Sequence, residues 1–167
     1  LPVANTTVYV VDENLRKADS LLERFRRDGV LNHIDGQAVP AADGTTFETI
    51  SPIDLKPIAR VAHGKAADID RAAKAAKAAF PAWAALSGEA RKTILHRVAD
   101  AIVARADEIA LVECMDTGQA LRFMSKAALR GAENFRFFAD KAPEARDGQV
   151  LRGPGQLNIT GRAPIGP

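Results

Sequence analysis

Cys114, in the stretch VECMDTGQAL (Val112 to Leu121), is the only cysteine in this chain of 167 residues. A cysteine becomes a nucleophile when a helix N-terminus, a histidine or a cation lowers its pKa. The pattern around Cys114 supplies the reverse. Apolar spacing places it near the C-terminal end of a helix, between Glu113 and Asp116, where the helix dipole and both carboxylates disfavour a thiolate. Helical geometry puts it beside Val103 and Ala110 on a second face of small apolar residues, which predicts a packing role.

Other side chains could be imagined as reactive. Glu113 with Asp116, or Asp107 with Glu108, could form an acid and base pair, but carboxylates on helical faces are usually solvated or capping, so a structural role is predicted for them. His33, His63 and His96 are scattered and show no metal-ligand spacing. The turns DGTT and GPGQ lack the strand-to-helix setting of a phosphate loop. Arg130, in AALRGAENFRFFADK, stands among the small residues Ala127, Ala128, Gly131 and Ala132. Its guanidinium has room to hold a carboxylate through a two-pronged fork. Composition alone favours the alternative, a surface arginine whose stem covers apolar surface.

These residues are positioned mainly by helices. Leu15, Ala18, Leu21, Leu22 and Phe25 predict an amphipathic helix from Asp12 to Asp28, stopped by Gly29. The cluster RFRR, Arg24 to Arg27, reads as the solvated end of that helix. Asp35-Gly36 predicts a tight hairpin turn, and TTFETISP and PIARVAHG read as strands, with Pro52 and Pro57 confined to ends or edges. Residues 33–63 should therefore form a small, mostly antiparallel layer. Ile69, Ala72, Ala73, Ala76, Phe80 and Trp83 mark a second helix that Pro81 should end or kink. Ser87 then caps a long helix running to about Asp116, with Ile94, Leu95, Val98, Ile102, Ile109 and Val112 on one stripe and Gly118 as its stop. A further helix spans Ala120 to Lys141. QVLR and QLNITGRAP, joined by GPG, read as two strands of a ribbon that pairs with something outside the chain.

Composition limits the function classes. The chain is 47% apolar and 26% charged, an ordinary balance for a folded domain. No apolar run approaches the roughly 20 residues of a membrane span, and the first residues lack the pattern of a signal peptide, so a cytoplasmic location is expected. A net charge of +2 with 5% aromatic residues argues against a nucleic-acid partner.

The ordered set HIDGQAVP, FETISPIDLKPIARVAHG, DIDRAAKAAKAAFPAW, ARKTILHRVADAI, ECMDTGQAL and NFRFFAD resembles the N-terminal part of the NAD(P)-dependent aldehyde dehydrogenase superfamily over residues 31–167. The resemblance implies an α/β chain with the aldehyde dehydrogenase fold, comprising the opening strands and helices of the cofactor-domain side and part of the oligomerisation ribbon. Its implied divisions are an N-terminal extension over residues 1–30, the first part of the dinucleotide-binding domain over 31–146, ribbon strands over 147–163, and over 164–167 the start of a strand leading into the catalytic core. The catalytic cysteine, the general-base glutamate and the residues that hold NAD or NADP are expected further on, so none is assigned here and this chain alone should be inactive. The implied chemistry is attack of a thiolate on an aldehyde, hydride transfer to the nicotinamide, and release of the acid by activated water.

Two carry-overs of residues follow from the resemblance. Thr49, Ile50 and Asp116 match positions that supply oxygens to a structural monovalent cation. Arg130 matches an arginine of the branch acting on semialdehydes from aromatic-ring cleavage, such as 2-hydroxymuconate semialdehyde, where it lines the substrate tunnel and binds a substrate carboxylate. That reverses the reading from composition. The partners implied are the remainder of the polypeptide, a small aldehyde, and further copies in a homodimer or tetramer joined through the ribbon. The competing expectation is a non-catalytic assembly or binding module that keeps only the helices and ribbon.

Overall fold

The computed structural model describes residues 6–167, with side chains from residue 11 onward. The first helix, α1 (Thr6–Asp28), begins before the predicted Asp12 and stops as predicted, where Gly29 turns into a left-handed conformation at φ 71°. It is followed by two antiparallel pairs. The strands β1 (Asn32–Ile34) and β2 (Gln37–Val39) meet at Asp35-Gly36, whose φ angles of 54° and 72° are those of the predicted tight turn. The strands β3 (Thr46–Ile50) and β4 (Pro57–Ala62) pair from Thr46↔Ala62 to Ile50↔Pro57, with a register shift between Thr49 and Ile50. Pro57 opens β4, a position where its missing N–H is tolerated.

The helix α2 (Ala66–Ala85) passes through Pro81 instead of ending there. Its last turn is held from a distance, because Arg146 donates to the Ala84 carbonyl and Arg91 Nη1 donates to the Leu86 carbonyl at 2.8 Å. These contacts satisfy carbonyls at the helix end, which have no partner within the helix. At its other end, buried Asp68 accepts from the backbone N–H groups of Lys65 at 3.1 Å and Ala42 at 3.0 Å. One carboxylate thus fastens the start of α2 to the loop after β2.

Ser87 caps the next helix as expected, its hydroxyl accepting from the Ala90 N–H at 3.1 Å. The predicted long helix is two, α3 (Gly88–Ala104) and α4 (Ala106–Thr117), separated by Arg105 at φ −116°, ψ 18°. The break changes the rotational phase. Val103 lies on α3 and is 38% exposed, so it does not flank Cys114, whereas Ala110 on α4 does share its core. Gly118 ends α4 at φ 74°, and a Cβ there would stand 3.0 Å from Pro52 Cγ, so the stop requires glycine on two grounds.

The helix α5 (Leu121–Lys141) packs on α3 and α4, while α1 packs on α4 and β4. Two small cores result: Leu22, Ile58 and Ala59 with Phe25, Val112 and Met115, and Ala110, Cys114 and Met124 with Leu121 and Ala127. The chain then forms a hairpin of β5 (Val150–Gly153) and β6 (Gln156–Ile159), turned at Pro154-Gly155. No helix among the described residues is long and apolar enough to cross a membrane.

Candidate functional site

Arg130 projects from the outer face of α5 and is exposed. Phe123 and Phe137 lie seven residues to either side, a spacing that returns to the same helical line within about 20°. Both are largely exposed, at 57% and 58%. The opposite face carries Met124, Ala128, Ala132 and Ala139, all buried. The small residues thus let α5 approach its neighbours, while Arg130 faces outward. Among the described residues Arg130 has no acidic partner, in contrast with Arg136, which bonds to Asp100 and Glu133. A guanidinium without a carboxylate partner can pair with the carboxylate of a ligand, and Phe123 and Phe137 stand about 10 Å away along the same helical line.

Thr49 and Asp116 meet across elements far apart in sequence. The Thr49 hydroxyl donates to Asp116 Oδ1 at 2.9 Å, joining the end of β3 to the end of α4. Both line a cavity of about 450 Å³ together with Phe25, Phe47, Val112 and Glu113. Ile50 follows in the chain where the register shifts, and its cross-strand partner is Pro57, which has no N–H to offer its carbonyl. Asp116 and Thr49 thus bring a carboxylate and a hydroxyl together, with Ile50 next in the chain.

Cys114 is 7% exposed, within the core formed with Ala110 and Met124. Burial pushes its thiol above the usual range, and the charge of Glu113 pushes the same way. The packing role follows from both facts. The acidic pairs also resolve into structural roles. Glu108 is gripped by Arg105, with Nε to Oε2 at 2.9 Å and Nη2 to Oε1 at 2.8 Å, and by Arg24. Arg24 therefore differs from the solvated helix end read from RFRR, since it crosses from α1 to α4 and also stacks 4.4 Å over Phe25. Glu113 is exposed. His33 is exposed, His63 meets Phe47 edge-on at 5.8 Å, and His96 Nε2 lies 3.0 Å from Asp140 Oδ1. The described residues contain no group of three or more His, Cys, Asp or Glu side chains placed to hold a metal.

Sequence reasoning missed the Asp68 clasp and the Arg24–Glu108 link. Asp68 carried a weak signal, an acid in the first turn of a helix. Arg24 carried none, because its partner lies 84 residues away.

The fold agrees with comparisons to known proteins. The profile of the aldehyde dehydrogenase family matches residues 39–167. The chain is 41% identical over 143 residues to 2-hydroxymuconic semialdehyde dehydrogenase from Pseudomonas sp. (strain CF600), covering 82% of this chain and 29% of that relative. Among solved structures, HpcC from Thermus thermophilus superposes with a TM-score of 0.86 at 34% identity, over 90% of this chain and 30% of that one. A betaine aldehyde dehydrogenase variant from Staphylococcus aureus in complex with NAD⁺ superposes with a TM-score of 0.75 at 26% identity, over 84% of this chain and 28% of that one. The chain thus spans under a third of the length of each of these proteins. With the order of its elements, its small-residue helix contacts and this breadth of matching, the chain belongs to the aldehyde dehydrogenase family and forms an N-terminal part of its fold.

Proposed function

We propose that this chain is the N-terminal part of an enzyme that oxidises a carboxylated semialdehyde to an acid with NAD or NADP. The observation that carries the reading is Arg130, exposed on α5 without an acidic partner and flanked by Phe123 and Phe137. The 41% identity to 2-hydroxymuconic semialdehyde dehydrogenase supports the substrate class, and the NAD⁺ complex of the Staphylococcus aureus relative supports the cofactor. When bound, the nicotinamide accepts the hydride. The contribution of this chain is recognition: Arg130 pairs with the substrate carboxylate. Cys114 takes no part, so the nucleophile and the base belong to the remainder of the parent polypeptide.

Thr49, Ile50 and Asp116 would hold a monovalent cation, and hard oxygen donors of these kinds suit one. The ribbon would join copies of the enzyme into a dimer or tetramer, and a cytoplasmic location accords with this role.

The test is Arg130→Ala in the full-length enzyme. KM for a carboxylated aldehyde should rise by about tenfold or more, that for a neutral aldehyde of similar size by less than about twofold, and Arg130→Lys should recover part of the loss. An equal rise for both substrates would remove the basis for the assignment.

A further inference from the structure

A second cluster of cations lies away from Arg130. Arg91, Arg146 and Arg162 line one cleft of about 240 Å³, with Trp83, Ala84 and Pro164 among its other walls and no acidic residue in its lining. Three distant parts of the chain converge there: the end of α2 and start of α3, the turn after α5, and the segment after the ribbon. Arg91 and Arg146 are each anchored by one bond to a main-chain carbonyl, at Leu86 and Ala84 respectively. Those bonds fix the two stems and leave most of each guanidinium fork unoccupied. The ion pairs of the described residues engage Arg24, Arg26, Arg27, Arg105 and Arg136, but none of these three. Like charges gathered in one cleft repel unless something compensates them, and the C-terminal dipole of α2 reaches only the two that are anchored there. Among the described residues, none compensates Arg162 in this way.

We infer that this cleft binds a phosphate group, either free or carried by a small organic molecule. Three guanidinium groups match a dianion better than a single carboxylate, since each can present parallel N–H donors to oxygens on a different face of a tetrahedral ion. The cleft is larger than one phosphate ion, and the indole of Trp83 offers a flat wall for whatever the phosphate carries.

In the full-length parent enzyme, the part of the emission that is lost in Trp83→Phe reports on this cleft, which Trp83 lines. Inorganic phosphate should be titrated into the protein at about pH 8, with ionic strength held constant by chloride, and phenyl phosphate titrated in parallel. The expected result is a saturating change in emission with a midpoint near or below about 10 mM. Arg162→Gln, in a segment where no side-chain bond depends on it, should raise that midpoint about tenfold. Arg122→Gln, which removes an exposed arginine stacked on Phe123, should leave it unchanged. Tighter binding of phenyl phosphate would support an organic phosphate stacked on Trp83, and equal binding would support the free ion. A response that fails to saturate, or that both variants weaken alike, would mean general surface charge and overturn the inference.

Discussion

Glu108 shows how one residue couples structure to pH. Its hydrogen bonds to Arg105, and then to Arg24, hold its carboxyl at about 2 against an ordinary value of 4.5. Because the folded value is depressed, the stabilisation is complete above about 4.5 and disappears as the pH falls through about 2. Glu108→Gln should cost about 1 kcal/mol at neutral pH, a figure reduced for solvent screening because Arg24 and Arg105 are 42% and 59% exposed. Urea unfolding should show the wild-type advantage shrinking between pH 5 and pH 2, and a constant difference would refute the linkage. At this scale the sequence was partly legible. The inertness of Cys114 could be read because its helix end and acidic neighbours are local. The role of Arg24 could not, since it rests on a partner 84 residues away.

At the scale of elements, α1 is a structural member of the fold. Leu22 is 1% exposed, packed on Ile58 and Ala59 of β4 and bordered by Val112 and Met115 of α4. Leu22→Ala removes that contact and should cost about 2–5 kcal/mol, measured by chemical denaturation. A cost below about 1 kcal/mol would mean that α1 is dispensable. HpcC aligns with more of the chain than residues 39–167 alone can supply, so the likeness reaches into the region before the family match. The caps and stops at Ser87, Gly118 and Gly29 were legible because each is set by one residue and its immediate neighbours. The continuation through Pro81 and the break at Arg105 were not. Proline inside a helical pattern reads as an end or a kink, and apolar spacing averages over a break of one residue.

For the whole molecule, the ribbon is the part least covered. Cross-strand pairing puts Val150 opposite Ile159 and Arg152 opposite Leu157, so Val150, Leu157 and Ile159 share one face, exposed by 62%, 57% and 72%. If that face joins copies of the parent enzyme, replacing Val150 and Ile159 together by aspartate should lower the mass seen by light scattering. An unchanged mass would point to another interface. The order of elements was legible in full at this scale, while the division of the middle into four helices was not. The cation positions rest on resemblance alone, and the structure adds that the Thr49 hydroxyl donates to Asp116.

The joint at Arg105 has a consequence for isotope exchange. The first turn of α4 starts without a side-chain cap, so the amides of Ala106, Asp107 and Glu108 are among those that a helix leaves without partners of its own. In deuterated solvent they should take up label well before Leu111 or Cys114, as a short fast-exchanging window within a stretch whose apolar pattern resembles a single uninterrupted rod.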